Sequence, residues 1–384
     1  MIASPFPPSF SRLPPVGLTL AAALVAHVLL WPFQGNDVGQ FLIPWFDHIR
    51  SSGIPAAFAT PFSNYMPAYL YLMAAFSPLA TVLPVVTVIK LLSVAGTAML
   101  AGASWRLLRA LGVRDAPRGA AIVFILPTTL INAPMLAQCD AIWTAACIMA
   151  VAMTIERRHR AMLAWFGLAV AIKLQAAFLG PFVVAMLINR RVPLRVWAIA
   201  PLVGVATLIP AWAAGWPIAD LLTIYTRQSA TFDALSLCAP NIWAIVQVFP
   251  SDLALGGLAL ASAIGGSAVY IAWFSSRSVP PRLLLGVALL APLMVAGLLP
   301  RMHERFFFLA DILALMYALA ARDRASWTVA ALVQTGSTLA LMGYLSDSGG
   351  PALVGAIAMI AATIRVARPL IVPIANDTLR MRPA

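Results

Sequence analysis

Long apolar runs recur from one end of this chain to the other, at roughly 17 to 33, 84 to 105, 119 to 134, 141 to 155, 161 to 189, 196 to 214, 253 to 275, 283 to 300, 306 to 320, 326 to 345 and 352 to 367. A helix of about 20 residues crosses the hydrocarbon core of a bilayer. With 161 to 189 read as a pair, the runs predict an all-α, polytopic membrane helix bundle of about 11–13 spans. A membrane β-barrel would alternate polar and apolar residues, and these runs do not. Composition excludes the soluble alternative: 62% of the 384 residues are hydrophobic, 10% are charged, and the mean hydropathy is +0.91.

The formal net charge of +12 points to membrane topology rather than to nucleic acid, because the basic residues fall in the breaks between runs. Most of the 25 Lys and Arg come to one side when Arg12 is placed inside and 34 to 83 is read as a single external loop. That inner side holds Arg106, Arg109, Arg114, Arg118, Arg157, Arg158, Arg160, Arg190, Arg191, Arg195, Arg277, Arg282, Arg322, Arg324, Arg365, Arg368, Arg380 and Arg382. The outer side keeps Arg50, Lys90, Lys173, Arg227, Arg301 and Arg305. Two choices are forced by this count. Segment 66 to 82, broken by Pro78 and followed by Pro84, must not cross, and 161 to 189 must turn back near Lys173, Gln175 and Gly180-Pro181. The expected organisation is a cytoplasmic segment 1–16, one integral membrane domain 17–368 with the large external loop 34–83, and a cytoplasmic tail 369–384. The first span reads as a retained anchor. The preference for Arg over Lys fits a bacterial inner membrane. Cys139, Cys147 and Cys238 have neither metal-ligand nor disulfide spacing.

The topology rests on Arg and Lys alone, so the acidic residues test it independently. Of the 13, Asp37, Asp47, Asp140, Asp220, Asp233, Asp252, Glu304 and Asp347 all fall on the outer side. So do four polar clusters: Gly35-Asn36-Asp37, Asn64-Tyr65-Met66-Pro67, Gln138-Cys139-Asp140 and Met302-His303-Glu304-Arg305. Taken singly, Asp37 and Asp140 read as turn or helix-cap carboxylates and Asn64 as a turn former. Lys173 differs, since a Lys inside an apolar hairpin must snorkel or pair. Asp311 reads as a buried carboxylate bonded to a neighbouring helix. An amphipathic helix over about 40 to 52 is expected on the membrane surface, with Trp45 and Phe46 at the interface.

These clusters, in order, carry a resemblance. Gly35-Asn36-Asp37 with Trp45, Asn64-Tyr65-Met66-Pro67-Ala68-Tyr69-Leu70-Tyr71, Gln138-Cys139-Asp140-Ala141-Ile142-Trp143, Ala171-Ile172-Lys173-Leu174-Gln175, Ala239-Pro240-Asn241-Ile242-Trp243 and Met302-His303-Glu304-Arg305-Phe306 resemble the bacterial relatives of glycosylphosphatidylinositol-anchor mannosyltransferases. More distantly the chain is similar to the glucosyltransferases that use dolichyl-phosphate-glucose. Both belong to the GT-C class of membrane glycosyltransferases. The chain departs from the pattern at Asn64 and Met66, where the family often has Asp or Pro, and at Cys139, where it has Phe. The resemblance implies a GT-C fold, a polyprenyl-phosphate sugar donor, transfer at the external face, and an acid in the first external loop as general base. The matching residue is Asp37.

Chemistry assigns the rest. A lipid phosphate leaves as an anion and needs cations, for which His303, Arg305, Lys173 and Arg301 are the candidates. The attacking hydroxyl needs a base, Asp37, and one base opposite the leaving group implies inversion. Asn64, Tyr65 and Glu304 are expected to shape the sugar and acceptor side, and Asp140 to orient the sugar or support Lys173. No metal is required, although Asp37, Asp47, Asp140 and His303 could converge on Mg2+ or Mn2+. The expected activity is transfer of one sugar, mannose favoured, to a lipid or glycan acceptor. The competing classes are a transporter or flippase of a lipid-linked sugar and a non-catalytic membrane scaffold subunit.

Overall fold

A computed structural model describes residues 13–229, 234–249 and 255–380, with side chains as far as residue 371. Arg12, Asp233, Asp252 and Arg382 lie outside the described residues. Each apolar run is helical. The first half contains α1 (Val16–Leu30), α2 (Ile43–Ser52), α3 (Pro67–Phe76), α4 (Val85–Ala110), α5 (Ala116–Ile122), α6 (Pro127–Leu130), α7 (Asp140–Ile155), α8 (His159–Ile172) and α9 (Gly180–Asn189). The second contains α10 (Leu194–Trp197), α11 (Ile199–Ala214), α12 (Ile218–Ser229), α13 (Ile242–Val246), α14 (Leu255–Ser275), α15 (Leu284–Leu298), α16 (Phe308–Ala321), α17 (Arg324–Leu345) and α18 (Gly350–Arg380). Among the described residues the only strands are β1 (Ser236–Leu237) and β2 (Met302–His303), paired in parallel.

Six helical stretches are long and apolar enough to cross a bilayer alone: Val85–Ala110, Leu194–Ala214, Leu255–Ser275, Pro281–Leu298, Arg324–Leu345 and Gly350–Ile371. A pair bent by 51°, Ala116–Ile125 with Pro127–Met135, brings the number to seven. Five runs counted as spans from the sequence form shorter apolar helices, among them α1, α7, α8 and α16. Three of these share an end. α7 begins at Asp140, α8 stops at Ile172 and α16 begins at Phe308. These ends meet, because Lys173 Nζ lies 2.6 Å from Asp140 and Arg305 Nε lies 3.8 Å from it. Irregular backbone therefore collects at one end of the bundle, a placement tolerated in a membrane domain where the backbone lines a cavity.

The opposite ends of the same helices are tied by basic residues. Arg106 meets Glu156 at 2.5 Å, Arg190 donates to the Thr154 carbonyl, and Arg322 lies 3.3 Å from Asp115. The run 161 to 189 thus leaves the basic end as α8, turns at Lys173 and returns as α9 to Arg190, as the charge pattern predicts. Lys173 breaks the helix by adopting an extended backbone, φ −155° and ψ 136°. The other expectation also holds. α3 starts beside Tyr65, α4 starts near Lys90, and Lys90 donates to the carbonyls of Trp31 and Phe33, four residues before Asp37. Both ends of segment 66 to 82 therefore lie at the irregular end, and it does not cross.

One expectation is corrected. The helix over 40 to 52 exists as α2, preceded by a π-turn at Val38–Leu42, but it does not offer Trp45 and Phe46 to a membrane interface. Trp45, Phe46 and Ile49 are buried in the protein, and the exposed face carries Asp47 and Arg50, 3.7 Å apart. Its apolar stripe finds α3 and α4 rather than lipid. Asp311 is buried as expected, beside the Thr128 and Ser337 hydroxyls, but its Oδ1 accepts no hydrogen bond. α17 and α18 cross at facing glycines, where a Cβ on Gly355 would stand 2.7 Å from the Gly336 carbonyl oxygen.

Candidate active site

Gly35 lies close against the turn that precedes α7: a Cβ there would stand 2.7 Å from Leu136 Cδ2, so the leucine side chain would have to shift. Asp37 makes no helix-cap bond. Its Oδ2 instead accepts from Arg305 Nη2 at 2.9 Å and from Gln138 Nε2 at 3.2 Å. No other hydrogen bond from the described residues reaches this carboxylate, so Oδ1 is left to an incoming donor.

Asp140 is 1% exposed and fully engaged. Oδ1 accepts from Lys173 at 2.6 Å and from Trp143 Nε1 at 2.8 Å, while Oδ2 accepts from Asn132 at 2.9 Å. Glu304 is equally buried, accepting from Arg305 Nη1 at 2.5 Å with His303 Nδ1 at 3.7 Å. Burial alone would raise the Glu304 carboxyl, but Arg305 beside it and the His303 contact hold it below the usual carboxylate range. Sequence reasoning gave Glu304 to the sugar and acceptor side and Asp140 to orienting the sugar or supporting Lys173; Asp140 does bond Lys173, Glu304 bonds Arg305, and neither lines the cavity.

Arg305 lines the cavity and is itself held by carboxylates. Its guanidinium faces three carboxylates, Asp37, Glu304 and Asp140, and the first two take its Nη groups. Burial disfavours its charge, yet these carboxylates, Glu304 foremost, hold its pKa well above the ordinary value. The cation stands at the centre of the carboxylates rather than presenting itself to an anion. Asp47 does not join this group, and among the described residues no three His, Cys, Asp or Glu are placed to hold one metal ion.

Arg301 and His303 are held by main-chain pairing. Arg301 N donates to the Leu235 carbonyl at 2.9 Å, and β2 then aligns Met302 with Ser236 and His303 with Leu237. Arg301 sits at φ 61°, a left-handed conformation that costs a non-glycine residue energy and recurs at functional sites. The His303 ring rests against Phe306, with centroids 5.1 Å apart.

These groups surround a cavity of about 750 Å³. Its polar end carries Asp37, Asn64, Tyr65, Gln138, Lys173, Gln175, Arg301, His303 and Arg305. Its other flank is apolar, formed by Phe178, Leu260, Val295, Leu299 and Phe306. Tyr65 packs on Trp45 and Tyr69, with Lys173 5.5 Å from its ring, and burial raises the phenol pKa. Asn64 is exposed and lies in a bend, as the sequence predicts, with the Ser63 hydroxyl bonded to the Tyr65 backbone across it. A second cleft of about 450 Å³, lined by Pro61, Phe62, Ser63, Ile224 and Arg227, shares Phe41, Trp45, Asn64 and Gln228 with the first.

All the site residues expected from the sequence therefore gather at one end, and seven of them line the cavity: Asp37, Asn64, Tyr65, Lys173, Arg301, His303 and Arg305. Sequence reasoning placed Gln138 in a polar cluster and Gln175 at a turning point without giving either a role at the site, and it passed over Gln228. The only signal was the position of Gln138 and Gln175 beside Asp140 and Lys173. Compared with protein-family models and with curated proteins, the chain matches none.

Proposed function

We propose that this protein is a membrane glycosyltransferase of the GT-C class that moves one sugar, mannose favoured, from a polyprenyl-phosphate donor to an acceptor at the external face. The observation that carries the reading is Asp37: one carboxylate oxygen is pinned by Arg305 and Gln138, the other takes no hydrogen bond from the described residues, and Asp37 lines a cavity whose wall combines cations with apolar side chains. A lipid-linked sugar has this character, a charged phosphate between a sugar and a hydrocarbon tail.

In the proposed reaction the acceptor hydroxyl gives its proton to Asp37 Oδ1 as its oxygen bonds to the anomeric carbon. The bond from that carbon to the phosphate oxygen breaks, its electron pair leaves with the phosphate, and configuration inverts. The phosphate seat falls to Arg301 and His303, with Lys173 behind them, because an anion brought to Arg305 would meet the three carboxylates already there. The second cleft, continuous with the first at Asn64 and Trp45, is the approach for the acceptor.

Protein reconstituted in vesicles and supplied with polyprenyl-phosphate mannose, glucose or arabinose will consume one of these donors. Asp37→Asn will lower that rate by about 100- to 10,000-fold, the usual worth of a general base, while the variant still melts cooperatively. Near-normal turnover by the variant rules out Asp37 as base. If no donor is consumed by folded wild type, the transporter and scaffold readings take its place.

A further inference from the structure

Building on Asp37 as the base, we propose that Gln138 is a positioning residue: with Arg305 it immobilises Oδ2 of Asp37 and leaves Oδ1 as the one proton acceptor facing the cavity. Two donors on the same oxygen fix both the place and the plane of the carboxylate, whereas Arg305 alone would allow it to swing. Arg305 is shared with Glu304 and Asp140; the Gln138 side chain has no carboxylate but Asp37.

Its other contacts hold it rigid. The side chain is 3% exposed, and Nε2 also donates to the Leu136 carbonyl at 3.4 Å. Its backbone N–H reaches Asn132 O at 3.0 Å, and Ala137 before it is held at φ 54°. That left-handed alanine is local strain maintained by the surrounding packing, which is the usual condition for a precisely aimed group. Asn132, which receives the Gln138 N–H, also donates to Asp140. The turn thus couples the aim of Asp37 to the carboxylate that holds Lys173.

The test uses vesicles with polyprenyl-phosphate mannose as donor and octyl α-mannoside as acceptor. Gln138→Met keeps the volume and removes the donor. It is expected to lower kcat by about 10- to 100-fold and to leave the donor KM within about twofold. Gln138→Glu is expected to work in acid, where its carboxyl can donate, and to lose activity as that proton leaves, producing an alkaline limb that the Met variant lacks. A merely structural glutamine would give the Glu variant no such limb, and that result overturns the proposal. Should the Met variant fail to fold, the alkaline limb of the Glu variant decides alone. Wild-type turnover abolished by Asp37→Asn, with no alkaline limb in the Glu variant, sinks only the role of Gln138; a wild type that consumes no donor sinks the transferase reading and this role together.

Discussion

Arg305 is the residue on which the site's charge balance turns. Two cations, Arg305 and Lys173, answer three carboxylates, two of which are 1% exposed. Glu304 is the charged acceptor of the buried Arg305 Nη1, and breaking a buried ion pair by removing one partner typically costs about 3–5 kcal/mol. Glu304→Gln is therefore expected to lower the melting midpoint at neutral pH. The sign of its pH dependence follows from the depressed carboxyl: the stabilisation is fully present above the ordinary carboxyl value of 4.5 and is lost as pH falls through the lower, folded value. Melting curves of wild type and variant should thus converge in acid. A gap that widens in acid would contradict the assigned pair.

At the scale of elements, short helices make the cavity. α7, α8 and α16 stop before the end of the bundle that the longer helices reach, and the space above their ends is the site. α8 is held in place by Gly167, where a Cβ would stand 2.4 Å from the Ala200 carbonyl oxygen. Gly167→Ala must push α8 away from α11. A cost of about 1–3 kcal/mol is expected from such overpacking, together with reduced transfer, because α8 ends at Lys173. Thermal melting beside the vesicle assay checks this; wild-type values in both would show that α8 is free to shift. Helix positions were legible in the hydropathy of each run, and the break at Lys173 in its own polarity. The inward turn of Trp45 and Phe46 was not, since an amphipathic helix has the same pattern whether its apolar face meets lipid or protein.

Across the whole molecule, most basic residues lie away from the cavity, and the proposed topology puts them on the opposite side of the membrane from it. With Cys238→Ser as background, Asn64→Cys is expected to react with a membrane-impermeant maleimide on intact cells, and Arg160→Cys only after permeabilisation. The reverse pattern would put the site in the cytoplasm. The sequence by itself determined the helical membrane class, the turning points of the chain and the end at which the polar clusters gather, because transfer free energies and the cost of moving Arg across lipid belong to each residue and its neighbours. Only the tertiary structure decided who pairs with whom. Asp37 and Arg305 are 268 positions apart, and Asp37 and Gln138 are 101 apart. Contacts at that separation depend on how whole helices pack and on a strained Ala137, neither of which leaves a periodic trace. That packing set Arg305 among three carboxylates, bonded Asp140 to Lys173 and Glu304 to Arg305, and left Oδ1 of Asp37 without a hydrogen bond from the described residues.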